Sequence, residues 1–139
     1  MKIRKMSRAD LPALAKLNAK IFHDITAKQA LRVFRHSFSK RVDGACLVAE
    51  EDGKLAGAIF CQKKLTQYAH SAYIAAFFVS KRQQSKGMGK ALMAACLAAM
   101  KKKGITNVSL TVSEKNKRAR LMYKKAGFKP FRLMLLRRF

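Results

Sequence analysis

Residues Ala72–Val79, AYIAAFFV, form an almost unbroken apolar run, too short for an ordinary helix and too apolar for a strand with one wet face. Such a run reads as a central strand covered on both sides. It passes into a polar loop, Ser80–Lys90, that carries Gly87 and Gly89. A helix is expected next, from about Met88 to Lys103, with Leu92, Cys96, Ala99 and Met100 on one face. Lys101, Lys102 and Lys103 before Gly104 suit its end, where cations meet the negative end of the dipole and glycine accepts a left-handed backbone. A buried strand that feeds a helix through a glycine loop restricts the chain to an α/β arrangement.

The flanking segments agree with that class. Lys2–Met6 alternates as a short strand does, and Ser7-Arg8-Ala9-Asp10 is a capping box ahead of a helix with Pro12 in its first turn. Leu11, Leu14, Leu17 and Ile21 have helical spacing, and a second helix is expected over about Thr26–Phe38 with Leu31, Phe34 and Phe38 inward. Ala45–Ala49 and Leu55–Gln62 read as strands joined through Asp52-Gly53, a strong hairpin turn. Val108–Val112 reads as a further strand, Asn116–Ala126 as a helix stopped by Gly127, and Phe128–Phe139 as one or two last strands.

Composition narrows what this chain does. Its 139 residues suit one domain, 1–139, and half of them are apolar, enough for a real core. No apolar stretch approaches a membrane span, and Met1–Ser7 lacks the apolar segment of a secretory signal. Cys46, Cys61 and Cys96 are odd in number, have no close pairing in sequence and match no zinc spacing. They read as reduced, buried thiols of a cytoplasmic protein, and no metal site is expected. The net charge is +24, and it is uneven: residues 1–52 carry 11 bases and 6 acids, whereas residues 53–139 carry 20 bases and one acid, Glu114. A polyanionic ligand or partner is therefore expected at the C-terminal part.

Two segments carry chemistry. The loop after Ala72–Val79 leads into a helix N-terminus, where the first N–H groups lack partners and the dipole is positive. Gly87 and Gly89 let backbone approach an anion, and Lys86 and Lys90 add full charges. The same residues also suit a plain strand–helix connection. The loop is neither a Walker loop nor a dinucleotide fingerprint. In the second segment, Asn116 suits a helix cap and Tyr123 lies two turns on, with Ala119 keeping the face between them low. Tyr123 is either a proton donor or a half-buried packing residue.

Together these segments resemble the GNAT family of N-acetyltransferases. Gln84-x-x-Gly87-x-Gly89 is similar to the family's coenzyme A pyrophosphate signature. Asn116-x-x-Ala119-x-x-x-Tyr123, followed by Gly127-Phe128, is similar to its second motif. The resemblance implies a mixed, mostly antiparallel twisted sheet of six or seven strands flanked by four helices, and acetyl transfer from acetyl-CoA to an amine. It implies that Phe77, Phe78 and Val79 meet the pantetheine arm and that Gln84, Ser85, Lys86, Gly87, Met88, Gly89 and Lys90 meet the pyrophosphate. It further implies that Asn116 holds the pantetheine, that a backbone N–H near Phe78 polarises the thioester carbonyl, and that Tyr123 protonates the departing thiolate.

Two departures stand out. Ser85 takes a position where many members have glycine, which is tolerable if the backbone there is not left-handed. No acid occurs from Gly53 to Ser113, and Thr111 stands where members often carry a catalytic glutamate. Glu114, Asp24 and His23 are the candidate general bases, but a water relay through backbone carbonyls is expected rather than a direct carboxylate base. A protein this basic repels cations, which disfavours polyamines, aminoglycosides and histone-like tails. It favours acidic peptides, an aminoacyl-tRNA or a ribosome-bound substrate, and the missing base favours an α-amine over lysine. The competing reading is a nucleic-acid- or ribosome-associated module with this fold and little turnover. If the short tail forms one strand, its exposed edge suits a homodimer.

Overall fold

The computed structural model describes residues 1–67 and 70–139. Five strands form one sheet in the order β1 (Lys2–Lys5), β2 (Leu47–Glu51), β3 (Lys54–Lys64), β4 (Ser71–Val79), β5 (Asn107–Ser109). The first three pairings are antiparallel, and β4 with β5 is parallel. Helices α1 (Leu11–Ile21) and α2 (Ala27–Ser39) lie in the β1–β2 connection, α3 (Met88–Lys102) joins β4 to β5, and α4 (Lys117–Lys125) follows β5. The expected mostly antiparallel sheet with four helices is present. The expected six or seven strands are five among the described residues.

Side-chain acceptors mark the approach to α1 and the start of α2. At Ser7, the Asp10 carboxylate accepts from the backbone N–H at 2.8 Å, opening a 3-10 turn at Arg8–Asp10 that leads into α1. Thr26 Oγ1 accepts from Gln29 N–H at 3.1 Å, and the Gln29 side chain returns the bond to Thr26 N–H at 2.9 Å. Arg4 then ties β1 to this start. Its guanidinium donates twice to Asp10, both at 2.9 Å, and once to Glu50 on β2 at 2.9 Å. Those contacts hold the Asp10 carboxyl below the usual carboxylate range.

Both faces of the sheet are covered, as the apolar β4 run requires. On one face α1 and α2 bring Leu11, Leu14, Phe34 and Phe38 onto Val48, Ala58, Phe60 and Phe78. Phe34 stacks on Phe60 with ring centroids 4.4 Å apart and on Phe78 at 5.6 Å. On the other face α3 lays Met88, Leu92, Met93, Cys96 and Met100 over Ala49, Ile59, Cys61 and Ile74. Burying each large side chain of this kind stabilises the fold by about 1.5–3 kcal/mol. The contact is closest at Gly57 on β3, where an added Cβ would stand 3.1 Å from both Leu92 Cδ1 and the Phe78 carbonyl oxygen.

Cys61 and Cys96 lie in this second core, and Cys46 lies in the first, on the α1 and α2 side. Cys46 Sγ donates to the Cys61 carbonyl at 3.2 Å, and Cys96 Sγ donates to the Ala45 carbonyl at 3.3 Å. All three are free and buried. Burial pushes the Cys46 thiol up to about 11, and the contact with Cys61 together with burial raises Cys96 as well. Cys46 and Cys96 are therefore protonated, unreactive packing groups at neutral pH.

Two expectations fail toward the C-terminus. The strand expected over Val108–Val112 is the three-residue β5, which pairs only Asn107–Ser109 with Ser71–Tyr73. Beyond Ser109 the backbone leaves β4, so no ladder continues. The one or two strands expected over Phe128–Phe139 do not form, because among the described residues this segment finds no strand partner.

Candidate active site

The β4 strand contains one residue more than its β3 partner across the middle of the ladder. Phe60 faces Ala76 and Cys61 faces Ile74, so Ala75 has no residue of its own opposite it. A bulge of this kind shifts the side-chain alternation by one. Ala72 and Ile74 pack toward α3 before it, and Phe77 and Val79 do so after it. With β5 ending at Ser109, β4 and the following Leu110–Thr111 segment diverge, and a cavity of about 580 Å³ opens between them. Its walls are Ile74–Phe78 from β4, Leu110 and Thr111, Tyr123 from α4, and Asn18, Phe22, Asp24 and Ile25 from α1 and the loop after it.

Tyr123 reaches this cavity because Asn116 sets the start of α4. The Asn116 side-chain oxygen accepts from Ala119 N–H at 3.1 Å, as a helix cap should. The Tyr123 ring stands 6.3 Å from that of Phe77 and 5.9 Å from that of Phe128. Burial raises its phenol above the usual range, so the hydroxyl holds its proton at neutral pH. Thr111 also lines the cavity, and its hydroxyl lies 3.3 Å from Tyr73 Oη.

At the other end of β4 the loop turns into α3. Gln84 Nε2 donates to the Val79 carbonyl at 3.0 Å, so this side chain braces the loop against the strand it has just left. Ser85 is left-handed, with φ 67°, and Gly87 follows at φ 87° as the cap of α3. The condition under which serine is easily tolerated is therefore not met, and Ser85 carries backbone strain of about 1–2 kcal/mol. Arg118, from the first turn of α4, donates to Ser85 Oγ. The N–H groups of Met88, Gly89 and Lys90 open α3 and have no partners within it. A Cβ at Gly89 would touch Phe77 at 3.4 Å and Met122 at 3.7 Å, so glycine lets α3, β4 and α4 close together.

The structure thus distributes the sequence-derived residues. Phe77, Phe78 and Tyr123 share the cavity, whereas Val79 is buried beyond it. Ser85–Lys90 form the helix entrance, and Asn116 serves as a cap. Of the three candidate bases, Asp24 lines the cavity, and Glu114 and His23 do not. Asn18 and Arg118 were not singled out by sequence. Asn18 lies on the inward side of α1 with Leu11 and Leu14, a polar residue in an apolar stripe. Arg118 lies two residues past the Asn116 cap, on the turn that meets the loop.

A helix start rich in free N–H groups and cations thus stands at one end of β4, and a cavity with a protonated phenol lies along the strand. The chain belongs to the acetyltransferase (GNAT) family, whose model matches residues 11–128. It is similar to the solved structure of PH1933 from Pyrococcus horikoshii, with 28% identity, 96% of this chain and 91% of the other covered, and a TM-score of 0.79. The ribosomal-protein-S18-alanine N-acetyltransferase from Escherichia coli has the same fold at 21% identity, with 92% and 77% covered and a TM-score of 0.73. So does AAC(6')-Iy, solved with the bisubstrate analog CoA-S-monomethyl-acetylneamine, at 19% identity, with 99% and 97% covered and a TM-score of 0.78. No curated protein matches the chain.

Proposed function

We propose that the protein transfers the acetyl group of acetyl-CoA to an amine, and that the acceptor is the α-amine of a peptide or another acidic substrate. The observation that carries this reading is that Tyr123 and the bulged β4 backbone line one cavity. The residues fit acetyl-CoA. The N–H groups at Met88–Lys90, with Lys86, Lys90 and Arg118, suit its pyrophosphate, and Gly87 and Gly89 leave the approach open. The pantetheine arm would lie along Phe77 and Phe78, with the Asn116 amide near its far side.

Acetyl-CoA supplies an activated thioester. The protein supplies a backbone N–H near Phe78 that polarises the carbonyl, and Tyr123 Oη, which gives its proton to the departing sulfur. Asp24 takes a narrower role than a buried base: it meets the acceptor ammonium at the cavity wall, and the proton leaves from there to solvent. An α-amine, with a pKa of about 8, is more often neutral than a lysine at about 10.4, so it needs less help from a base. The +24 charge concentrates acidic acceptors, and the free thiols suit a reducing, cytoplasmic setting.

A second reading rests on one observation. Residues 117–139 carry nine Lys and Arg and no acid, and none of their side chains is buried. Such a surface suits a ribosome-bound or aminoacyl-tRNA substrate, in which the polyanion delivers the amine.

The direct experiment is thermal unfolding in a series of acetyl-CoA concentrations. At a hundredfold excess over Kd, binding stabilises by about 2.7 kcal/mol, and an unmoved midpoint at millimolar acetyl-CoA removes the proposal.

A further inference from the structure

β3 outruns its neighbour β2. Leu47, the first residue of β2, pairs with Ile59, whereas β3 continues to Lys64. Residues 40–42 take the vacated edge. Lys63 N–H donates to the Lys40 carbonyl at 2.9 Å, Val42 N–H donates to the Cys61 carbonyl at 3.2 Å, and Arg41 bridges Gln62. On the other side α3 runs along β3. Leu92 lies over Gly57, and Cys61 Sγ donates to Met100 Sδ at 3.1 Å, so α3 ends beside Lys63. Lys40, Arg41, Lys63, Lys64 and the run Lys101–Lys103 therefore collect at one end of the sheet, all exposed. Arg8 joins them, its guanidinium 5.5 Å from the centre of the Phe38 ring that Arg41 covers at 4.3 Å. Segments 40–43, 61–66 and 100–106 hold one acid, Asp43, 3.9 Å from Arg41. The lysines that end α3 meet the negative end of its dipole, and Arg41 donates to the Phe38 carbonyl at the end of α2. Lys63 and Lys64, on a strand, have no helix end to cap. Lys64 is nonetheless held in place, donating to Ser109 Oγ at 3.2 Å above the Tyr73 ring.

The chemistry of this end selects its partner. Among the described residues of these segments Leu65 is the one exposed large apolar side chain. The end therefore lacks the apolar centre of a protein interface and the apolar face of a membrane-bound one. The same segments expose no aromatic ring on which single-stranded bases could stack. What remains is positive charge drawn from both helix layers and the sheet between them. Its breadth is on the order of 20 Å, which exceeds the ~12 Å major groove of a duplex and so reaches phosphates on both strands. We infer that this end of the protein docks on the phosphate backbone of a double-stranded nucleic acid, without regard to base sequence. β4 enters the sheet here at Ser71 and leaves at Val79 toward the α3 entrance, so a bound duplex leaves that entrance and the cavity open. The surface is separate from the cations that open α4, since Arg118 meets Ser85 at the other end of β4. It does not depend on acetyl transfer.

Fluorescence anisotropy with labelled 24-base-pair duplexes of RNA and of DNA, between 50 and 200 mM NaCl, is the test. The logarithm of affinity should fall with the logarithm of salt at a slope of about −5, so binding is lost by roughly 0.2 M. Lys63→Gln, Lys64→Gln, Lys101→Gln and Lys103→Gln, combined, should raise Kd at least tenfold at 50 mM and reduce the slope by about 3. Lys63→Glu alone, a single exposed change, should raise Kd about fivefold. Arginine at the same four positions should bind as the natural chain does. Lys28→Gln, Arg32→Gln, Lys124→Gln and Lys125→Gln, combined, remove equal charge elsewhere and should stay within threefold. Far-UV circular dichroism should be the same for all of them. Binding by the first set within threefold of the natural chain overturns the inference, as does equal loss in the two glutamine sets, which would make the charge diffuse. Capture by phosphatidylserine vesicles with neither duplex bound also overturns it, because the end would then serve a membrane. Tighter binding of the RNA or of the DNA duplex tells which one supplies the backbone, and either result upholds the inference.

Discussion

Tyr123 shows what position does to a common side chain. Burial raises its phenol, so it is a poor base and a proton-loaded acid at neutral pH. Tyr123→Phe keeps the packing against Phe77 and Phe128 and removes the proton. Steady-state kinetics should show kcat falling about a hundredfold while acetyl-CoA binding by calorimetry stays within twofold. Because the protonated form acts, kcat should fall with rising pH only above the ordinary phenol range, and the variant should lose that limb. The acids divide in the same way. Glu114→Gln should leave kcat/KM within threefold, since Glu114 stands off the cavity, whereas Asp24→Asn should raise the acceptor KM at least tenfold. Sequence alone named both residues, but their separation depends on the α1–α2 loop folding over β4, a contact between distant segments that no local pattern encodes.

Helices and strands carry the stability. Gly57→Ala should cost about 1–3 kcal/mol in urea unfolding, because the new methyl meets a backbone carbonyl of the central ladder that has no room to move. The Arg4–Asp10–Glu50 contacts make a second prediction. The folded state holds the Asp10 carboxyl below its unfolded value, so the stabilisation is complete above the unfolded pKa, about 4, and is lost as pH falls through the lower folded value. Asp10→Asn should therefore destabilise the protein by about 1–2 kcal/mol at pH 7 and by much less near pH 2, as thermal melts across pH would show. Most elements were legible because their ends carry side-chain acceptors or glycine: Ser7 and Asp10, Thr26 and Gln29, Gly87, Asn116. The length of β5 was not. Val108–Val112 has the alternation of a longer strand, and only the bulge at Ala75 and the departure of the β4 backbone end its ladder.

For the whole molecule, charge and the missing C-terminal strands are the governing facts. The +24 surface should bind RNA loosely, and elution from an immobilised RNA column by roughly 0.2 M salt is the expected result. Retention at ~0.5 M salt would instead establish a dedicated nucleic-acid surface, as the second functional reading requires. Composition located that charge correctly in the C-terminal part, because charge depends on residue identity alone. The strand count was beyond it, since a strand exists only where another backbone offers an edge, and residues 129–139 find none within the copy.

The sequence by itself determined the α/β class, the helix starts, the glycine entrance to α3 and the two motifs of an acetyltransferase, because each is a local pattern of shape, charge and backbone freedom. The tertiary structure decided that Tyr123 and Asp24, 99 residues apart, line one cavity and that Glu114 does not. It also decided that Arg118 closes on Ser85 and that β5 keeps an open edge. Those outcomes follow from which distant surfaces exclude water together, and that is a property of the packed chain rather than of any segment.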